Sequence, residues 1–494
     1  MNTRRCLVTT QCYRRFVPIL LSLPLLVLFP QLGFCEGGLH ELSVQLGTQL
    51  EVYWVLPFVC MLLSIAIGPL ALPHFWHHHF GKVAVFWGLA FLVPFAFVHG
   101  FSLAFYELLH AMLLEYMPFI ILLFALFTVA GGIRLKGSLV GTPVVNTGLL
   151  FVGTALASWM GTTGAAMLLI RPLLRANSHR KYRVHTVVFF IFLVANIGGS
   201  LTPLGDPPLF LGFLQGVDFF WTLTHLFVPM CVAAVILLSL FFVLDTFLYG
   251  KEGKPQPQGS GNGERLGIEG NINFLLLACI VGGVLMSGMW NPHIEITIYE
   301  VHMELQNLVR DALLLAIAGA SWVLTSKKSR ELNDFNWGPI EEVAKLFLGI
   351  FISMIPALAI LKAGTDGALA SVINMVSTNG QPNNTMFFWL TGALSSFLDN
   401  APTYLVFFNT AGGLSGQTNV AQYLMNEWAP TLLAISAGAV FMGANTYIGN
   451  APNFMVRSIS EDMGVKMPSF FGYMAWSVGI LIPIFIILTF IFFL

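Results

Sequence analysis

Two aspartates lie inside long apolar stretches of the chain, where a carboxylate is costly to keep. Asp206 belongs to residues 202–208 (TPLGDPP) and Asp399 to residues 399–402 (DNAP). A carboxylate in the middle of a membrane costs at least about 2.5–3.5 kcal/mol unless it is protonated, paired or bound to a cation. Each aspartate is therefore a candidate for binding a proton and a cation in turn. The alternative is that each caps a broken helix by accepting a backbone N–H.

A short motif occurs twice, once around Asp206 and once in the second half of the chain. Residues 202–208 (TPLGDPP) and 446–452 (TYIGNAP) share the pattern T-x-x-G-[DN]-x-P. Glycine lets the backbone leave helical geometry, and proline removes a donor and stops a helix. The pattern therefore predicts a helix that is broken at the corresponding place in each half. The glycines and prolines of these breaks, with the proline beside Asp399, are Gly205, Gly449, Pro208, Pro452 and Pro402.

Oxygen-bearing side chains surround the predicted breaks, and small hard cations prefer such ligands. We expect each half to place a hairpin tip against its broken helix and to form one cation site there. Na⁺ and H⁺ are the only bound ions predicted, with no other cofactor; the six cysteines show no CxxC pairing that would indicate a transition-metal site. The predicted ligands are Thr162, Thr163, Thr202 and Asp206 in the first half, and Asp399, Asn400, Thr446 and Asn450 in the second.

The composition indicates what kind of fold must position these side chains. Of the 494 residues, 56% are hydrophobic and only 10% are charged, whereas about 25% are charged in a soluble chain. So few charges cannot cover a water-facing surface, which excludes soluble enzymes and nucleic-acid-binding proteins. We expect an all-α polytopic protein embedded in the lipid bilayer, and we do not expect an enzyme.

Apolar windows of about 20 residues predict membrane-spanning helices, and two apolar stretches are interrupted at their centres by polar residues. We interpret these two as re-entrant hairpins, whose irregular tips must be buried in protein. A segment rich in Gly, Pro, Gln and Ser is predicted to be a flexible cytoplasmic linker between two halves. The predicted segments are a first half (36–250) with a hairpin at about 145–174 and a broken helix at about 184–215, the linker (251–270), and a second half (271–494) with a hairpin at about 386–412 and a broken helix at about 429–458.

The placement of charge predicts the orientation of the chain. Arginine and lysine cluster in residues 171–183 and in the linker, whereas residues 291–309 contain neither. By the positive-inside rule the basic connections are cytoplasmic. The first hairpin then enters from the cytoplasm, the second enters from outside, and the C-terminus ends outside. The halves would thus be inverted repeats, an arrangement that indicates a transport site near the middle of the membrane.

Residues 1–35 need a separate interpretation. Four arginines precede an apolar run at 16–34, which is the pattern of a secretory signal. The bulky Phe34 makes a poor cleavage site, so that a retained signal-anchor helix is the alternative to a cleaved signal peptide. Both interpretations leave residue 36 outside.

Three segments carry a resemblance to a known family. Residues 196–221 (NIGGSLTPLGDPPLFLGFLQGVDFFW), 395–409 (SSFLDNAPTYLVFFN) and 443–459 (GANTYIGNAPNFMVRSI) resemble the NhaD-type sodium:proton antiporters. These belong to the ion transporter superfamily, with citrate and dicarboxylate carriers and arsenite pumps. The resemblance implies a scaffold domain and a moving transport domain, an elevator mechanism, a homodimer, and the inner membrane if the protein is bacterial.

The residues at the hairpin tips distinguish between the functions known in this superfamily. Sodium-coupled dicarboxylate carriers show Ser-Asn-Thr at both tips, whereas the tips here are residues 161–163 (GTT) and 399–401 (DNA). An aspartate at a tip repels an anion and attracts a cation, which favours exchange of Na⁺ or Li⁺ for H⁺. The alternative is a Na⁺- or H⁺-coupled carrier of citrate, a dicarboxylate or an oxyanion such as arsenite. A non-transporting membrane scaffold is a third hypothesis, although a scaffold gains nothing from two irregular sites.

Overall fold

The protein is helical throughout its membrane-embedded part. The computed structural model describes residues 38–137, 139–255 and 267–494, so that the predicted signal peptide or signal anchor lies outside the described residues. Within them, ten helices are long and apolar enough to cross a membrane. The prediction of an all-α polytopic membrane protein is thereby confirmed, and the protein is a multi-pass integral membrane protein.

The described elements begin with five helices and continue with a repeated order of hairpin and broken helix. In chain order the helices are α1 (Gly38–Gln49), α2 (Leu56–Ala71), α3 (Pro73–His99), α4 (Phe101–His110), α5 (Met117–Ala130), α6 (Pro143–Met160), α7 (Thr162–Ala176), α8 (Val184–Leu193), α9 (Pro207–Leu214), α10 (Phe219–Lys251), α11 (Ile272–Met289), α12 (Leu305–Leu324), α13 (Lys327–Leu332), α14 (Gly338–Lys362), α15 (Ala370–Met375), α16 (Asn384–Phe397), α17 (Asn400–Ser415), α18 (Val420–Asn426), α19 (Ala429–Met442), α20 (Ala451–Asp462) and α21 (Phe470–Phe492).

Short strands form three antiparallel ribbons among the described residues: β1 (Arg134–Lys136) with β2 (Gly267–Glu269), β3 (Glu295–Ile298) with β4 (Val301–Glu304), and β5 (Ser377–Thr378) with β6 (Gln381–Pro382). The first ribbon includes the end of the predicted linker (251–270), and the flexibility of that linker remains a prediction. Residues 256–266 lie outside the described part, but β2 holds one end of the segment against β1. An ion pair of 3.0 Å between Arg134 and Glu269 fastens it, and the hydrogen bond from Arg134 lowers the pKa of the Glu269 carboxyl.

The first hairpin consists of α6 and α7, which pack on each other and meet at Gly161. Gly161 has φ +81°, a left-handed conformation that glycine adopts without strain. The broken helix that follows runs from α8 through a 3₁₀ turn (Ile197–Leu201) and a tight turn at 202–206 to α9. The first hairpin and its break together occupy residues 143–214. Because α6 has 18 residues and passes as a span by length, the re-entrant path stays a prediction.

The second half repeats this order of elements. Helices α16 and α17 form a hairpin that turns at Leu398 and Asp399, and α19 is followed by a 3₁₀ turn (Gly443–Asn445), a bent segment at 446–450 and α20. Hairpin and broken helix thus recur in the same order in both halves. The opposite orientation of the two halves in the membrane remains a prediction.

The broken helices occupy the centre of the protein. In residues Val184–Leu201 94% of positions are buried, whereas the most apolar part of Pro73–His99 has 22% buried and faces outward. The second hairpin connects the halves, because α17 packs against α9 as well as against α14. The two helix breaks are therefore enclosed by protein on all sides.

Candidate functional site

The two helix breaks have the same backbone structure. Thr202 and Thr446 follow their 3₁₀ turns in extended conformation, with φ −140° and −137°. The Thr202 hydroxyl donates to the carbonyl of Ser158 in the first hairpin, and the Thr446 hydroxyl donates to the carbonyl of Ser396 in the second at 2.5 Å. Each break is thus fastened to the hairpin of its own half by the same type of bond.

These bonds use the hydroxyls that the sequence offers as cation ligands. The Thr446 hydroxyl also accepts from the amides of Ile448 and Gly449 at 3.2 and 3.1 Å. One donor and two lone pairs are all that a hydroxyl has, so that Thr446 is saturated. The Thr202 hydroxyl accepts from Leu204 N at 3.2 Å and keeps one lone pair. In this conformation the two threonines shape the breaks, and Thr446 has no free oxygen position for an ion.

Glycines allow each break to fold back on itself. A Cβ on Gly205 would lie 2.1 Å from the carbonyl oxygen of Gly199, and a Cβ on Gly449 would lie 2.5 Å from that of Gly443. The glycine pairs have the same spacing in the two halves, a signal that extends the sequence motif and that the sequence reading missed. Pro208 and Pro452 are the second residues of α9 and α20, and Pro402 lies in the first turn of α17, where a helix needs no proline N–H.

Asp206 and Asn450 occupy matching positions, each immediately before a half-helix. Both backbones are extended there, and neither side chain accepts a hydrogen bond from the helix that it precedes. Capping, the alternative considered for Asp206, is therefore not what this side chain does. Its carboxylate turns away from α9 and is available to other elements.

Three side chains from three other elements bind the buried carboxylate of Asp206. Thr162 donates to Oδ1 at 3.1 Å from the start of α7, and Asn450 donates to Oδ1 at 3.0 Å from the second break. Asn400 donates to Oδ2 at 2.5 Å from the tip of the second hairpin. We call these four residues the Asp206 centre. The sequence predicts two separate sites, one per half; the structure instead brings Asn400 and Asn450 of the second half onto the aspartate of the first.

The chemistry of the Asp206 centre suits an exchangeable cation. Asp206 is 1% exposed, and no ion pair among the described residues includes it. Its three donors stabilise the ionised carboxylate, but an isolated buried charge remains costly without a counter-ion or a proton. Asn400 Oδ1 is fully buried and has no hydrogen-bond partner. Rotation of this amide would present an oxygen to a cation held by Asp206.

Asp399 directly precedes Asn400 of the Asp206 centre but caps its own helix. It is half-buried, and its Oδ1 accepts from the amide of Ala401 at 3.1 Å, which makes it the N-cap of α17. It makes no hydrogen bond with a residue of the Asp206 centre within the described chain. For Asp399 the structure thus shows the capping geometry, and its role as a cation ligand remains a prediction. Thr163 is half-buried beside Thr162 and has no side-chain hydrogen bond with the residues described.

Two asparagines that the sequence reading did not select join the breaks to each other. Asn196 donates to Asn453 Oδ1 at 2.7 Å and lies 3.3 Å from the amide of Asn450. Asn453 donates to the carbonyls of Gly443 and Thr446 at 2.8 and 2.9 Å. Buried amides in an apolar segment are a signal for function in membrane proteins, and both lie within the segments that carry the family resemblance. They fix the position from which Asn450 reaches Asp206.

A second buried carboxylate, Asp245 of α10, forms a cluster of its own. It forms an ion pair of 2.6 Å with Arg180 and hydrogen bonds of 2.8 Å with His185 and with Asn146. Asp245 and the Arg180 side chain have no exposed surface. The cluster ties the first hairpin, the connection after it and α8 to α10. It is an anchor for the hairpin that positions Thr162.

Comparison with known proteins helps to identify the function of these sites. No curated protein matches the chain significantly. Residues 47–493 match the family described as "Putative citrate transport", a match that covers the hairpins, both breaks and every residue of the Asp206 centre. Membership of the NhaD-type subgroup stays a prediction, whereas the wider kinship with citrate carriers fits the match. The protein therefore belongs to this citrate transport family of membrane transporters.

Proposed function

We propose that the protein is a cation-coupled secondary transporter in which the Asp206 centre binds Na⁺ or H⁺ in turn. The observation that carries this proposal is the convergence of Thr162, Asn400 and Asn450 on one buried carboxylate that has no basic partner among the described residues. A carboxylate in such surroundings is stable only with a proton, a cation or strong donors. A proton and a cation can replace each other at this carboxylate, and such replacement is the requirement for coupling their movements.

The first candidate for the transported solute is citrate or a related dicarboxylate, with an oxyanion such as arsenite as a further possibility. Membership of the citrate transport family supports an organic anion. In this function Na⁺ or H⁺ at Asp206 neutralises the centre and supplies the driving force. The organic anion would approach only after the carboxylate has lost its charge, because two anions in a medium of low dielectric constant repel each other strongly.

Exchange of Na⁺ or Li⁺ for H⁺, without an organic solute, is the second candidate. It is favoured by the hairpin tips, which read 161–163 (GTT) and 399–401 (DNA). Neither Asp206 nor Asp399 has an ion-pair partner in the described chain. A centre with one acidic side chain and without a basic one suits a cation better than a carboxylate ligand.

The side chains of the centre would cooperate as follows in either function. Without a cation, Thr162, Asn400 and Asn450 stabilise the charge of Asp206 by donating to it. When Na⁺ enters, the amide of Asn400 turns its free Oδ1 to the ion, and Asp206 and the Thr162 oxygen complete the set of hard ligands. Because Asn400 belongs to the second hairpin, ion binding also determines how closely that hairpin approaches the break. The proposal also includes assembly of the protein as a homodimer and transport by an elevator motion.

Transport in proteoliposomes distinguishes the two candidates. Radiolabelled citrate and succinate uptake is measured under an inward Na⁺ gradient or an acid exterior, and a pH-sensitive dye inside records proton flux when Na⁺, Li⁺ or K⁺ is added alone. Cation-dependent uptake of an organic anion establishes the first candidate. Alkalinisation of an acid interior by Na⁺ alone, with no uptake, establishes the second. In both cases we expect Asp206→Asn to abolish the signal and Asp462→Asn, at an exposed position of α20, to leave it intact.

A further inference from the structure

A buried arginine lies at the wall of a large cavity outside the Asp206 centre. The cavity has a volume of about 910 Å³ and is enclosed by the C-terminal end of α9, the start of α10, the end of α11, the β3–β4 ribbon and the start of α12. Arg310 of α12 lines it, although only 1% of this residue is exposed. A buried guanidinium is rare unless all of its donors are used.

The hydrogen bonds of Arg310 leave one nitrogen without a partner. Nε donates to Asp311 Oδ1 at 2.8 Å and Nη1 donates to Asn307 Oδ1 at 3.0 Å. Nη2 is buried and has no hydrogen-bond partner. Leaving a charged donor unsatisfied costs more than leaving a neutral one, so that an acceptor that reached Nη2 from the cavity would be stabilised there. The guanidinium is the group that binds carboxylates in planar geometry.

The acidic side chains that line the cavity do not compete for this nitrogen. Asp311 is bound to Arg310 through Nε, Glu304 accepts from Gln306 and Asn307 at 2.8 and 3.1 Å, and Glu295 lies 3.3 Å from His302. Asp218 is exposed. These acids weaken long-range attraction of anions, and recognition must therefore come from the short contact at Nη2. The starts of α10 and α12 add the positive ends of two helix dipoles.

The position of Arg310 relates the cavity to the Asp206 centre. Its guanidinium lies 5.9 Å from the ring of Phe210, and Phe210 belongs to α9, the half-helix that Asp206 precedes. One end of α9 thus borders the Asp206 centre and the other end borders the cavity. A ligand held at Arg310 would contact the element that carries the coupling site.

From this geometry we propose that Arg310 is a carboxylate-binding residue, whose Nη2 holds one carboxylate of the transported organic anion in the cavity next to α9. The proposal rests on the first candidate function, transport of a citrate-like anion. It assigns a second, separate recognition site to the solute, distinct from the cation site at Asp206. Removal of the Nη2 contact should weaken binding of the anion about tenfold or more, as expected for a charge-assisted hydrogen bond.

Protection of a cavity cysteine from alkylation tests this site directly. Ser287 lines the cavity, and Ser287→Cys is introduced after the native cysteines have been replaced by alanine. The full chain in nanodiscs is treated with a small thiol reagent in the presence of citrate, succinate or neutral glucose. We expect citrate or succinate to slow alkylation and glucose to have no effect. A cysteine at Thr48, which is exposed and does not line the cavity, should react equally in all three solutions.

Two variants link protection to Arg310. The double variant Arg310→Gln/Asp311→Asn removes both charges of the pair and so leaves no unpaired buried carboxylate, and Arg310→Lys keeps a cation but loses the planar fork. We expect the double variant to lose protection and Arg310→Lys to require a higher anion concentration, while both are alkylated at the unprotected rate without anion. Absence of protection in the parent, or unchanged protection in the double variant, would overturn the proposal.

The transport assay separates this proposal from the proposed function. If citrate and succinate protect Ser287→Cys through Arg310 but are not taken up, the carboxylate site stands and the first candidate function fails. If they are taken up but do not protect the cysteine, the function stands and the role of Arg310 is refuted.

Discussion

The side-chain amide of Asn400 donates a hydrogen bond of 2.5 Å to Oδ2 of Asp206. This bond joins the tip of the second hairpin to the broken helix of the first half, so that elements far apart in sequence share one buried carboxylate. Any change in the charge of Asp206 therefore acts on the hairpin, and any movement of the hairpin changes the donors available to Asp206.

Asp206→Asn should abolish cation-coupled transport while the protein still folds. The substitution keeps the shape of the side chain but removes the charge that a proton or Na⁺ neutralises. Loss of a buried ligand charge corresponds to about 3 kcal/mol, or a rate at least about 100-fold lower. Initial uptake rates, normalised to the amount of protein in the liposomes, measure the effect. A variant that transports at the wild-type rate would refute the assignment of Asp206.

Asn400→Ala should raise the concentration of Na⁺ that gives half-maximal transport by about tenfold, because it removes the amide oxygen that would turn to the ion, and one contact with a charged group contributes about 1.5–3 kcal/mol. It should lower the concentration of H⁺ that gives half-maximal transport, because the donor that stabilises the ionised carboxylate of Asp206 is lost. The maximal rate should change less than these concentrations do. Asn426→Ala, at an exposed position of α18, is the matched control. Equal cation dependence in the two variants would show that Asn400 does not act on the bound ion.

Asp399 should respond to substitution as a helix cap does. Asparagine caps helices as well as aspartate, so that Asp399→Asn should retain transport within about threefold. Asp399→Ala removes the bond to the Ala401 amide and should destabilise the start of α17 by about 1 kcal/mol, which thermal unfolding in detergent would detect. Loss of transport in Asp399→Asn, with normal thermal stability, would instead favour the cation-binding role.

Gly205→Ala should disrupt the first break, because its Cβ would lie 2.1 Å from the Gly199 carbonyl oxygen and backbone must move. Overpacking of this kind typically costs about 1–3 kcal/mol. Gly282→Ala is the control, since a Cβ there would have no atom within 4 Å. Thermal unfolding and uptake should both be impaired in the first variant and unchanged in the second. Normal behaviour of Gly205→Ala would mean that the break does not require this close approach.

Arg180→Ala should destabilise the protein strongly. It leaves the fully buried carboxylate of Asp245 without its arginine, and breaking a buried pair costs about 3–5 kcal/mol. The exposed Lys181→Ala is the control. The double variant Arg180→Met/Asp245→Leu should recover much of the lost stability, because the unpaired charge of Asp245 is removed. Glu252, which lies 3.6 Å from Arg180 Nε, keeps its hydrogen bonds from the backbone amides of Lys181 and Tyr182. If the single variant unfolds at the wild-type temperature, the cluster does not anchor the first hairpin.

Features with a local cause could be predicted from the sequence. Glycine and proline determine where the helices break, and the positions of both hairpins and both breaks agree with the pattern around Gly205 and Gly449. The ribbon between β1 and β2 could not be predicted, because its strands are short and it depends on a distant ion pair between Arg134 and Glu269.

The composition of the site depended on packing that the sequence does not display. The repeated motif predicts one site in each half, whereas α17 packs against α9 and brings Asn400 to Asp206. The residue type of Thr446 suits a cation ligand, but its hydroxyl makes three hydrogen bonds with backbone groups. Tertiary contacts decide which oxygen atoms remain free, and differences of a few tenths of an ångström change these contacts. Residue spacing in the sequence does not specify positions this closely.

Proton release on Na⁺ binding tests the competition at Asp206 most directly. Purified protein in weakly buffered detergent solution is titrated with NaCl, with choline chloride as the ionic control, and the pH is followed by a dye. If Na⁺ and H⁺ share Asp206, Na⁺ should release protons, up to about one per chain, and Asp206→Asn should release none. Undiminished release from Asp206→Asn, or none from the wild type across the pH range in which it transports, would contradict the assignment.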